Sequence, residues 1–245
     1  MSMLPKISLP EIQLTIPSTK QQKKFRPFTV KEEKILLMAK EGDETDSILA
    51  SSQVIRNCCL DPNFDVENLP TFDFEYLFIQ LRARSIGGVI DVFFQPTKKT
   101  ACQTCKKHHK VSINIDDIHI KEYPTHSNKI DLGNSIRLVM KYPTVKNISE
   151  IVKIQDKDSN NLDFSFDVIA ECIAQISDSE KVYDLMDVPK EETIAFLESL
   201  TNDQFSKIAE FFVTMPVINH KVEWTCKECG EKYVHDIEGL QSFFG

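Results

Sequence analysis

Two pairs of cysteines carry the sharpest chemistry in this sequence. Cys102 and Cys105 sit two residues apart in TACQTCKKHH, and Cys226 and Cys229 repeat that spacing in EWTCKECGEKYVHDI. Four thiolates from two such turns suit Zn²⁺, which takes a closed tetrahedral shell of soft ligands when its role is structural. A shell of four cysteines has no position left for water, so the expected ion is a staple and not a catalyst. His108 and His109 follow the first pair, but four cysteines already complete the shell. Bland readings of the same residues stay open: buried unpaired thiols, or two local disulfides. A thiol–disulfide enzyme is a weaker reading, because a redox Cys-x-x-Cys follows a strand and opens a helix, whereas strand-like residues flank both pairs here.

Hairpins must position these thiols. VIDVFF and KVSINI flank the first pair, KVEW and KYVHDI the second, and each set reads as a β-hairpin with a Cys-x-x-Cys knuckle in its turn. A contiguous zinc ribbon separates its pairs by roughly 15 to 20 residues. Here Cys105 and Cys226 enclose a whole segment, so zinc would tie the middle of the sequence to residues near 226.

Residues 7–30 read as two strands joined by the polar turn PSTKQQKK, with Ile12, Leu14 and Ile16 alternating onto one face. Residues 31–85 read as helices. KEEKILLMAKEGDE puts acids in its first turn, where the helix dipole favours them. TDSILASSQVIRNCCLDP stops at Asp61-Pro62, and LPTFDFEYLFIQLRARSIGG lines up Phe74, Leu77, Phe78 and Leu81 before Gly87. Cys58, Cys59 and Cys172 read as small buried hydrophobes. The span 127–215 reads as a run of helices, among them LGNSIRLVMKYPTV, NISEIVKI and a long one over NNLDFSFDVIAECIAQI with Leu162, Phe166, Ile169, Ile173 and Ile176 as its stripe. The last, TNDQFSKIAEFFVTMP, opens with Thr201 and Gln204 spaced as a capping box. Phe164, Phe166, Phe205 and Phe212 are candidates for partner contact, with core packing the stronger reading of each.

The expected fold class is therefore α+β and mainly helical, with an N-terminal β-hairpin and a zinc-ribbon-like pair of β-hairpins. The expected units are 1–85, a module made of 86–125 and 216–245, and an inserted helical segment at 126–215.

Composition fits a globular protein. The chain has 245 residues, 41% of them hydrophobic, enough for a real core. No apolar run approaches the roughly 18 residues of a membrane helix, and MSMLPKISLPEIQL lacks the layout of a signal peptide. These features predict a reducing, cytoplasmic setting without a membrane partner, where Cys-x-x-Cys pairs bind metal more often than they form disulfides. A formal net charge of −8 argues against a broad nucleic-acid footprint. No Gly-rich phosphate loop, H-E-x-x-H or G-x-S-x-G motif occurs, so no enzyme class is indicated.

Several longer strings go further. LPEIQLTIPSTKQQKKFRPFTVKEEKILLMA, then IRNCCLD, then LPTFDFEYLFIQLRARSIGGVIDV, then the two knuckles, resemble in that order the baseplate hub assembly proteins of T-even-type contractile-tailed bacteriophages. The resemblance is densest over residues 4–105 and resumes around 220–235. It implies a non-enzymatic tail protein, made in the host bacterial cytoplasm, that assists assembly of the central hub as a chaperone binding hub or tape-measure proteins. It carries over no partner-contact residues. The alternative is a zinc-ribbon viral regulator that binds nucleic acid or polymerase. Lys98, Lys99, Lys106, Lys107 and Lys110 favour that alternative at the first knuckle, but at the second Lys227 and Lys232 are balanced by Glu223, Glu228 and Glu231.

Overall fold

A computed structural model of the chain describes residues 7–39, 44–94, 109–148, 161–227 and 230–239. At its N-terminal side, β1 (Ile12–Thr15) and β2 (Gln22–Phe25) pair antiparallel with Ile12 opposite Phe25. Period-two alternation sends Leu14 and Ile16 inward, and the turn is anchored from outside. Asp73 accepts hydrogen bonds from the Ser18 amide at 2.9 Å and from the Ser18 hydroxyl. Three helices complete this part: α1 (Val30–Ala39), α2 (Glu44–Cys58) and α3 (Thr71–Ile86). Leu14, Phe25, Val54, Ile55, Cys58, Phe74, Leu77 and Leu81 form one hydrophobic cluster. Cys58 and Cys172 are fully buried, and burial pushes both thiols up to about 12, so they pack as apolar groups.

Helix α3 faces two cores. Its Phe74, Leu77, Phe78 and Leu81 stripe packs into the first cluster, while Ile79 and Ala83 on the opposite side belong to a second. That second cluster joins β3 (Val89–Phe94), β4 (His109–Asn114), β5 (His119–Lys121), β10 (Val217–Thr225) and β11 (Lys232–Glu238). Ile90, Val92, Ile113, Ile218, Val222 and Ile237 are its inward residues.

A third cluster is built on β6 (Lys129–Gly133), β7 (Ile136–Met140), β8 (Ile173–Ser177) and β9 (Val182–Asp184), which form an antiparallel sheet in that order. Helices α4 (Asn161–Glu171), α5 (Lys190–Glu198) and α6 (Asn202–Thr214) accompany it. Leu138, Met140, Ile173, Leu197, Ile208 and Phe211 form its centre. Helix α6 begins with the expected capping box, Thr201 and Gln204 exchanging hydrogen bonds.

The expectation of a mainly helical chain fails. Eleven strands in four antiparallel sheets stand beside six helices of two turns or more among the described residues. The error lies in 126–215. LGNSIRLVMKYPTV is not a helix: Ile130 pairs with Leu138 across a hairpin whose turn holds Gly133, Asn134 and Ser135 at positive φ. The long predicted helix ends at Glu171, and Ile173–Ser177 turns into a central strand because β7 offers its free edge to it. The zinc-ribbon description of the two knuckle hairpins is corrected as well. The β10–β11 hairpin extends its sheet with β5, β3 and β4 form a sheet of their own, and the described residues hold no cluster of His, Cys, Asp and Glu fit for a metal.

Candidate functional site

Of the four cysteines predicted to bind metal, the structure places one. Cys226 follows β10 in the turn to β11, and only 1% of it is exposed. Its amide donates to the Glu231 carbonyl at 2.8 Å and its carbonyl accepts from the Gly230 amide at 2.9 Å, a tight loop that closes through Gly230 at φ +74°. A side chain at that φ would be strained, so glycine fits the turn. Cys102, Cys105 and Cys229 lie outside the described residues, as does His108.

The framework around them is visible. Phe94, the last residue of β3, pairs with His109, the first of β4, and the segment bearing Cys102 and Cys105 runs between them. The Phe94 ring stacks on Trp224 at 4.3 Å, and Trp224 stacks in turn on Tyr233 at 5.3 Å. His235 meets the edge of Phe94 at 5.4 Å. Trp224 is two residues before Cys226, so the end of β3 touches the end of β10 although the two strands belong to separate sheets. Each extended residue spans at most about 3.6 Å, which leaves the first Cys-x-x-Cys ample chain to reach the second. A buried thiol in a tight turn suits zinc by donor chemistry. The aromatic cluster escaped the sequence reading; its signal was an aromatic residue at or next to the end of the strand before each Cys-x-x-Cys.

Other ionisable groups serve the scaffold. Glu32 is wholly buried, bonded by Arg26 at 2.9 and 3.1 Å and by the Thr29 amide at 2.9 Å. Asp73 is buried too, and burial raises its pKa against the pull of the Ser18 hydrogen bonds. His126 spans Thr214 Oγ1 and Tyr142 Oη, each at 3.0 Å, and burial lowers its pKa. Each of these groups is met by a structural partner. Lys110, the described member of the basic patch, is paired with Asp91 at 2.7 Å. Near the second knuckle Lys221 pairs with Glu223 at 2.8 Å. Phe166, Phe205 and Phe212 pack against the third cluster, with the Phe166 and Phe205 rings 5.4 Å apart.

No helix among the described residues is long and apolar enough to cross a membrane. No match to the chain was found among curated proteins or solved structures. A family model does match, over residues 9–245, and so takes in the N-terminal hairpin, all three hydrophobic clusters and both cysteine pairs. The chain belongs to the T4 bacteriophage base plate protein family.

Proposed function

We propose that this baseplate protein assists assembly of the central hub as a non-enzymatic chaperone binding hub or tape-measure proteins in the host bacterial cytoplasm. The observation that carries this reading is the family match across residues 9–245, joined to the resemblance of the strings before residue 105 to hub assembly proteins. The acidic net charge of −8 weighs against the nucleic-acid alternative, which needs a basic surface around its knuckles.

A structural zinc ion held by Cys102, Cys105, Cys226 and Cys229 is part of the proposal. The stack of Phe94, at the end of β3, on Trp224 supports it. The bound ion would supply cross-linking and no reaction chemistry, since four thiolates leave no open coordination position.

The test is co-expression of the chain with hub and tape-measure proteins of its phage, followed by size-exclusion chromatography and elemental analysis. Co-elution with a hub or tape-measure protein, absence from finished baseplates, and one zinc per chain lost in Cys226→Ser are expected. Stable incorporation in finished baseplates would replace the chaperone with a structural subunit, and a zinc-free parent protein would remove the staple.

A further inference from the structure

The third cluster carries a surface that the hub-assembly reading does not use and that is independent of zinc. Between the sheet and α5 lies a cleft of ≈270 Å³. Ile136, Ile176 and Phe196 supply apolar surface within it, and Tyr183, Leu185 and Val188 wall it on the side of β9. Two bulky neighbours extend the apolar surface outward: Val182 is 60% exposed and Met186 is 90% exposed. An open apolar cleft bordered by such side chains is where a protein receives another apolar group.

Charge says what kind of group. Asp178 and Glu192 line the same cleft. The backbone amides of Glu180 and Lys181, at 2.7 and 2.8 Å, hold the Asp178 carboxylate ionised and fixed. Across residues 177–192 six carboxylates face two lysines, and one of those, Lys190, is occupied by Asp167 and Glu171 at 3.0 Å each. The other, Lys181, lies 4.6 Å over the ring of Tyr183, so this edge already accommodates an ammonium on an aromatic face.

We propose that the cleft between the β6–β9 sheet and α5 docks a basic, apolar segment of a partner protein, with one bulky aliphatic or aromatic side chain in the cleft and flanking lysines or arginines against Asp178 and Glu192. The apolar anchor supplies most of the affinity, because buried anchors dominate interfaces. The acidic rim selects the partner and speeds its approach, an effect that fades with salt.

The test uses the full chain and a fluorescein-labelled nine-residue peptide with a Lys-Leu-Phe-Lys core. Matched peptides carry Glu-Leu-Phe-Glu or Lys-Ser-Ser-Lys. Fluorescence anisotropy should show saturable binding of the first peptide and binding weaker by about tenfold or more for each control, and weaker again as salt rises. Amide shifts in NMR should localise to Ile136 and residues 176–196. Glu192→Lys, at an exposed position that leaves the fold intact, should weaken the Lys-Leu-Phe-Lys peptide and strengthen the Glu-Leu-Phe-Glu one. No saturable binding, equal affinity for the three peptides, shifts elsewhere, or an unaffected Glu192→Lys variant would each overturn the proposal.

Discussion

Glu32 is a buried carboxylate that stays ionised. Burial alone pushes its pKa up, but hydrogen bonds from Arg26 and Thr29 override that and hold it down at about 2. A folded value below the ordinary 4.5 means that the group stabilises the fold fully above pH 4.5 and that this contribution is lost as pH falls from 4.5 towards 2. Glu32→Gln should cost about 3 kcal/mol at neutral pH, since it leaves Arg26 without its charge partner. It should also flatten the loss of stability between those pH values, as read from urea midpoints. An equally steep acid limb in the variant would show that other carboxylates set it. The sequence hinted at this residue only as one of the acids in a first helical turn. Its burial depends on Arg26 approaching from the end of β2, a tertiary contact with no local signature.

At the scale of elements, what could be read in the sequence divides by how local the signal was. Helices α1 to α3 and α6 follow from apolar spacing and end signals, and the Thr201–Gln204 box states its own boundary. The β6–β7 hairpin was legible and was misread. Ile130 and Leu132, then Ile136, Leu138 and Met140, recur every second residue, and GNS between them is a turn signal of the kind that joins twisted strands. Ile136, Val139 and Met140 also fit a helical stripe, and that second period concealed the first. At Ile173 no local signal was available: IAQIS becomes a strand through pairing with residues more than thirty positions earlier. Ser135 sits at φ +64°, a conformation that costs an L residue roughly 1 kcal/mol or more. Ser135→Gly should therefore raise the melting temperature of the chain, and a lower one would mean that the serine side chain contributes a bond worth more than the strain.

Over the whole molecule, β3 and β10 are joined by an aromatic contact that the cysteine spacing did not predict. Four cysteines at matched spacing suggested one ribbon, whereas β3–β4 and β10–β11 lie in separate sheets that meet through side chains. They did not reveal that β5 would complete the second sheet, because three residues of HIK carry too little pattern to be seen. Phe94 is 8% exposed and stacks on the chain's single tryptophan, Trp224. Phe94→Ala should cost about 3 kcal/mol, in the range for truncating a buried aromatic ring, and should shift tryptophan emission to longer wavelength as water reaches Trp224. Unchanged emission would show that Phe94 does not shield Trp224 from water.

Helix α3, wedged between two cores, has a consequence in time. The first cluster includes Val145, whose amide bonds the Leu69 carbonyl at 3.2 Å, and the second needs Ile218, Val222 and Ile237. A ribosome delivers those groups in order, at roughly 5–20 residues per second. One flank of α3 can thus be sheltered once residue 145 has emerged, while the other, covered by then only from β3 and β4, waits several seconds more for β10 and β11, on the order of the time needed to make the next ninety residues. During that interval the newborn protein presents a half-finished greasy wall, and whatever binds it then decides whether the second core closes on its own chain or on a neighbour's.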